Sequence, residues 1–351
     1  MQSLAPSTTP QGLRSTRHLE ALYSAPKYFS EHQVRHTSFP SGATVAYTLH
    51  GTYNHNNDAK ASRSLPAVED RVMLITGFLQ TKDTWAAVID LLLDHYNVKK
   101  EDEVEPTKAR GVRILSFDNR GVGGSSAPAY WTRSTTKGMA KDVLALMDVV
   151  GWDSAHIVGY SMGGMISLEL ASIAPKRIKS LSLLATTRGK YVEDLRSREP
   201  LRQSVYAKDP SIAVANLLEL LYPRDAITET RVDETDETQY DTLFKFHMES
   251  RKSQAIQPST WAMVSQLLAI RTHFVSNARL LAINDCGFPV LIVTGMKDIL
   301  IPPAESICLR EHMTGDHVHT LFIENAGHGV TLQFVAEVVQ ALAATFQRNS
   351  C

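Results

Sequence analysis

The sequence predicts an α/β fold, a mostly parallel central sheet flanked by helices with a helical insertion late in the chain. Three observations carry that prediction. Continuous apolar runs such as Val72–Thr76 and Val112–Phe117 suit strands covered on both faces. Helical patterns separate these runs at the spacing of right-handed crossovers. From about Thr187 to Asp285 the alternation gives way to mostly helical patterns, and it resumes with the apolar run Pro289–Thr294.

The elements follow in order. Residues 1–32 are rich in Ser, Thr and Pro, and their first acidic residue is Glu20. They read as a poorly ordered or loosely docked extension. Short β patterns lie near Gln33–Phe39 and Ala43–Leu49, followed by a polar loop at Tyr53–Asp70. The strand Val72–Thr76 runs through Gly77-Phe78 into a helical pattern at Trp85–Leu93. The mixed-charge stretch Lys99–Arg110 reads as a solvated excursion before the strand Val112–Phe117. A helix at Thr136–Val150 places Met139, Val143, Leu146 and Val150 on one face. A strand to Tyr160, a helix ending at Pro175 and a strand at Leu181–Ala185 complete the first half. The second half has Pro289–Thr294, a helix near Pro303–Glu311, the strand Val318–Ile323 and a last helix over Val330–Phe346. The expected organisation is therefore an α/β domain over 33–187 and 286–351, interrupted by a helical insertion over 188–285.

Composition narrows the function classes. The 36 Lys and Arg nearly balance the 37 Asp and Glu, which argues against a nucleic-acid binder or a polybasic membrane-surface protein. No apolar stretch approaches the roughly 20 residues that span a bilayer. Cys286, Cys308 and Cys351 have neither disulfide-framework nor metal-site spacing, so no metal is expected and a reducing compartment is. A cytoplasmic location is the expectation, with a mitochondrial transit segment as the alternative. Composition says nothing of oligomeric state.

The chemistry centres on Gly159-Tyr160-Ser161-Met162-Gly163-Gly164, set between a strand and a helix. A serine at the apex of such a turn is thrust out of the sheet on a strained backbone, and small neighbours are needed at Gly159 and Gly163. The helix that follows aims free N–H groups at whatever the serine attacks. The segment resembles the nucleophile elbow of the α/β-hydrolase family. The resemblance covers roughly residues 40–187 and 286–351, which it makes the catalytic domain within 33–187 and 286–351, and it implies that the insertion over 188–285 is a helical cap.

That resemblance implies an acid and then a base after late strands. Asp298 follows the strand Val290–Thr294, and His328 follows Val318–Ile323. Both loops lie at the carboxyl edge of the sheet, where Ser161 emerges and where open α/β sheets bind ligands. Ser161 would attack, His328 would take its proton, and Asp298 would orient the imidazole. His317 and His319 lie in or before a strand and read as structural, His273 reads as packed or pocket-lining, and Asp285 sits at the wrong edge. The resemblance places the oxyanion hole at the N–H groups of Phe78 and Met162. Many members carry His-Gly in this loop, where this chain has Thr76 before Gly77.

Asp118-Asn119-Arg120-Gly121-Val122-Gly123-Gly124-Ser125-Ser126 resembles the family's D-x-R-G-x-G-x-S segment. A dinucleotide fingerprint with Asp142 as its acid is the rival. Ser126 replaces the third glycine, and Pro128 with Tyr130-Trp131 blocks the helix that a pyrophosphate needs. No cofactor is expected. The implied activity is serine-dependent cleavage of an ester or related acyl bond in a small, largely apolar molecule, most simply as a carboxylesterase. A monoacylglycerol-type lipase, lactonase, thioesterase or C–C hydrolase stays open. So do an acyltransferase and a small-ligand receptor with little turnover.

Overall fold

The computed structural model describes residues 13, 15–39, 42–51, 68–102, 110–126, 134–232, 235–253 and 259–348. Its eight strands are β1 (Arg35–Ser38), β2 (Thr44–Gly51), β3 (Val68–Ile75), β4 (Arg110–Phe117), β5 (Ala155–Tyr160), β6 (Ile178–Leu184), β7 (Val290–Gly295) and β8 (Val318–Ile323). They form one sheet in the order β1-β2-β4-β3-β5-β6-β7-β8. Only the β1–β2 and β2–β4 pairings are antiparallel. The strands from β4 to β8 are mostly buried, as a sheet with both faces covered requires.

The helices are α1 (Thr16–Leu22), α2 (Ala25–Tyr28), α3 (Ala86–Asp102), α4 (Thr136–Val149), α5 (Met162–Ile173), α6 (Arg198–Tyr206), α7 (Pro210–Leu221), α8 (Arg224–Glu229), α9 (Gln239–Ser253), α10 (Thr260–Thr272), α11 (Asn277–Asn284), α12 (Pro303–His312), α13 (Val330–Gln333) and α14 (Val335–Phe346). One core lies between the sheet and α3 with α14, and it includes Leu92, Leu291, Val338 and Leu342. The other lies between the sheet and α4, α5 and α11, and it includes Leu146, Ile166, Leu168 and Ile283. Every residue of α5 from Met162 to Ala171 is buried, which explains why its apolar pattern has no clean stripe.

The chain leaves β3 toward β4 on one side and returns past it to β5 on the other. The point between β3 and β5 is thus a topological switch, where an open sheet leaves a crevice at its carboxyl edge. Ile75 pairs with Gly159, so the two strands end level and the loops that follow lie side by side.

Several expectations change. Residues 15–32 are not a poorly ordered extension: α1 and α2 dock on α3 and bury Leu22 and Tyr28. Arg17, Lys27 and Tyr28 converge on the carboxylate of Asp90, with the Tyr28 hydroxyl at 2.5 Å and Lys27 Nζ at 2.9 Å. That anchor is 60 or more residues away, so local composition could not reveal it. The strand β3 starts at Val68, inside the expected polar loop, because Val68–Asp70 pair with Arg110–Val112 of β4. Residues 52–67 of that loop, 103–109 of the charged excursion, and Pro128, Tyr130 and Trp131 lie outside the described residues. The last helix breaks at Phe334. Finally, α11, assigned by pattern to the cap, packs on α5 through the Arg279–Glu169 ion pair at 2.5 Å and contributes Leu280 and Ile283 to the core.

Candidate active site

Ser161 is the N-cap of α5 at φ 55° and ψ −120°, a region that a non-glycine residue seldom occupies. Neighbours at the end of β6 and just after it hold it there. The Ser161 N–H donates to Leu184 O of β6 at 2.9 Å, and the Thr186 hydroxyl donates to Ser161 O at 2.7 Å. The elbow glycines are needed for close approach. A Cβ on Gly163 would lie 2.1 Å from Ile75 O of β3, and one on Gly159 would lie 2.3 Å from Ser167 Oγ.

The structure brings Ser161, His328 and Asp298 together. His328 Nε2 lies 3.0 Å from Ser161 Oγ, and His328 Nδ1 lies 2.7 Å from Asp298 Oδ2. A carboxylate can only accept, so Nδ1 carries the hydrogen and Nε2 is left free to accept from the serine hydroxyl. The other oxygen of Asp298 accepts from the N–H groups of Leu300 at 2.8 Å and Ile301 at 2.9 Å, which fixes the carboxylate's aim. All three side chains are buried, so the hydrogen bonds between them work in a low-dielectric setting.

The loop that presents His328 is held from two sides. Burial beside Tyr222 and Asp298 keeps the Tyr160 hydroxyl well above the ordinary tyrosine range, so it remains a donor. It donates to His328 O at 3.1 Å. From the segment between β6 and β7, Leu221 O accepts the Gly329 N–H at 2.7 Å, and the Tyr222 ring fills the space a Gly329 side chain would need. Lys297, next to Asp298, pairs with Asp225 of α8 at 2.7 Å.

The loop Thr76–Gln80 lies against Ser161: a Cβ on Gly77 would come within 3.2 Å of Ser161 Cβ. Among the described residues, neither the Phe78 nor the Met162 N–H has a hydrogen-bond partner. Thr76, which departs from the family's usual His, has a partner of its own. Asn119 Nδ2 donates to both Thr76 O and Thr76 Oγ1 at 3.1 Å.

The remaining candidates are structural. Asp118 accepts from the Lys82 N–H at 2.7 Å, Lys82 Nζ at 3.1 Å and the Gly124 N–H at 2.9 Å. Asp142, the acid of the rival dinucleotide reading, is buried and paired with Arg120 Nη2 at 2.7 Å. His273 is buried with Nδ1 on Thr136 Oγ1 at 2.9 Å, and His319 is buried within β8. Asp285 caps the end of α11 before β7, at the opposite edge of the sheet from Asp298. Among the described residues no group of three or more His, Cys, Asp or Glu could hold a metal, and no helix is long and apolar enough to cross a membrane.

Residues 70–334 match the family description "alpha/beta hydrolase fold". The chain belongs to the α/β hydrolase family. A dihydrolipoyllysine-residue acetyltransferase component of an acetoin cleaving system from Pseudomonas putida is 24% identical over 256 residues, which are 70% of this chain. The match spans 59% of that relative's length. Among solved structures, an enol-lactonase from Burkholderia xenovorans aligns with a TM-score of 0.65 and 16% identity, covering 90% of this chain and 100% of the other. An esterase from Exiguobacterium antarcticum aligns with a TM-score of 0.64 and 17% identity, covering 89% and 99%. At these identities the structural likeness shows the fold alone.

In this α/β hydrolase several supporting residues escaped the sequence reading. Thr186, Tyr160, Leu221 and Gln266 act on the site loops from elsewhere in the chain. One had a visible signal: Gln266 is a polar residue within the apolar-periodic stretch Trp261–Ile270.

Proposed function

We propose that this α/β hydrolase is a serine hydrolase that cleaves an ester of a small, largely apolar substrate. The observation that carries the reading is the relay Ser161–His328–Asp298, with links of 3.0 and 2.7 Å. Ser161 Oγ attacks the acyl carbonyl as its proton passes to His328 Nε2. The resulting oxyanion takes the N–H groups of Phe78 and Met162. His328 returns the proton to the leaving alcohol, and the acyl group stays on Ser161. Water then attacks the acyl-enzyme, giving its proton to His328, and the carboxylic acid departs as Ser161 regains its hydrogen. Gly77 beside the serine leads directly into Phe78 and Leu79, half-buried apolar residues that support an apolar acyl portion. Helices α6 to α10 are proposed as the cap.

The test is hydrolysis of short- and medium-chain p-nitrophenyl esters by wild type and Ser161→Ala, with fluorophosphonate labelling of both. Wild type should turn over and label, and the variant should do neither, with kcat down by about four or more orders of magnitude. Wild-type protein that neither turns over nor labels would sink the reading. Labelling without turnover would favour a ligand receptor instead. The likeness to an acetyltransferase component favours a second reading, acyl transfer. In that case the acyl group partitions to an added alcohol or thiol ahead of water.

A further inference from the structure

Gln266 lies in the middle of α10 and is fully buried. Its side chain reaches two loops of the α/β domain. Oε1 accepts from the Leu79 N–H at 3.0 Å, and Nε2 donates to Arg120 O at 3.0 Å. The amide can be placed only this way round, because a backbone N–H can only donate and a carbonyl only accept. Leu79 itself sits at φ 55°, which a leucine holds only where its surroundings impose it.

The position of these bonds matters more than their number. The Phe78 N–H belongs to the peptide plane between residues 77 and 78. The preceding plane is fixed by Gly77 N–H on Gln80 Oε1 at 3.1 Å and by Asn119 on Thr76 O at 3.1 Å. The following plane is fixed by Leu79 N–H on Gln266. Gln80 and Asn119 belong to the α/β domain, whereas Gln266 comes from the helical segment 187 residues further on.

Resting on the hydrolase reading above, we propose that Gln266 is a positioning residue that sets the direction of the Phe78 N–H toward the oxyanion. It touches no reacting atom. It holds the second of the two peptide planes that bracket the donor, and it makes the oxyanion hole depend on the seating of α10.

The test compares wild type with Gln266→Met, which keeps the volume and removes both polar groups, and Gln266→Asn, which keeps the groups one methylene too short. Three quantities are read: kcat and KM on a p-nitrophenyl ester, inhibition by an alkyl trifluoromethyl ketone, and inhibition by the matching alkyl methyl carbinol. The ketone carbon takes Ser161 Oγ to form a hemiketal oxyanion, with the proton passing to His328, whereas the carbinol reports ground-state binding. Both variants should lose kcat about 10- to 100-fold, less than deletion of a donor, with KM within about threefold. The ketone's inhibition constant should rise by the factor that kcat/KM falls, and the carbinol's should stay within about threefold. Should Gln266→Met fail to give a cooperative melt, Gln266→Asn carries the comparison alone. Unchanged kcat in a folded variant, or equal weakening of ketone and carbinol, overturns the proposal while wild-type turnover leaves the hydrolase reading standing. An inert, unlabelled wild type overturns both.

Discussion

At the scale of single residues, strain and close approach are distinct demands, and Ser161 shows both. Its own φ of 55° is imposed from outside, while Gly163 yields space to the carbonyl of Ile75. Gly163→Ala would put a Cβ 2.1 Å from that backbone oxygen, which cannot rotate away, so α5 must move off β3. We expect a loss of about 3 kcal/mol or more and a fall in kcat of at least about tenfold as Ser161 leaves His328. Gly151 supplies the contrast. It has φ 69° but open space around the missing Cβ, so Gly151→Ala should cost only about 1–2 kcal/mol and leave kcat unaltered. Thermal melts and ester turnover on the two variants decide the matter, and equal effects from both would refute the close-approach account.

At the scale of elements, the segments before β1 and after β6 hold the α/β domain together from outside. Helices α1 and α2 bridge α3 and α9: Tyr28 and Arg17 reach Asp90, Gln239 Nε2 donates to Leu13 O at 3.0 Å, and Tyr23 packs edge-on to Phe246 at 5.8 Å. Burial of Leu13, Leu22 and Tyr28 contributes about 1.5–3 kcal/mol each. Removing residues 1–32 should therefore lower the melting temperature by roughly 10 °C or more, at about 2–4 °C per kcal/mol. An unchanged melt would mean that these helices are not part of the cooperative unit. This is also where legibility from the sequence ends. Ser161, Asp298 and His328 could be read because each follows its own apolar strand and sits in a short turn, so local pattern fixes its place. The partner of Arg17 is 73 residues away, and those of Gln266 are 187 and 146 residues away. Contacts of that span leave no periodic trace. The same holds for α11, whose pattern matches α10 but whose Arg279 finds Glu169 on α5.

At the scale of the whole molecule, buried histidines on different elements make the fold acid-sensitive, and two of them sit where outer helices dock. Burial lowers His50 on β2 and His273 after α10 to about 4 from an ordinary value of 6.5. His50 packs edge-on to the rings of Tyr28 and Phe29 at 5.1 and 5.7 Å, and His273 meets Glu169 at 3.8 Å without enough attraction to offset its burial. Both rings are thus neutral in the folded state and protonated in the unfolded chain at mildly acidic pH. A group whose folded value is depressed gives its full stability above its unfolded value and loses it as pH falls toward the folded one. The window is therefore pH 6.5 down to about 4, and each ring accounts for up to about 3 kcal/mol of the loss. Urea midpoints should stay level from pH 8 to 7 and then drop steadily to pH 4.5. His50→Phe, which keeps the aromatic contacts and removes the titration, should flatten part of that slope, the rest falling to His273 and to His247, which burial also lowers to about 4. A slope unchanged by the substitution would place the acid sensitivity elsewhere. The two sites also mark the boundaries that matter to the proposed chemistry. His50 lies where α2 covers the sheet, and His273 lies at the end of the helix that carries Gln266. Acid should therefore act both at the seat of α10 and where α2 covers the sheet.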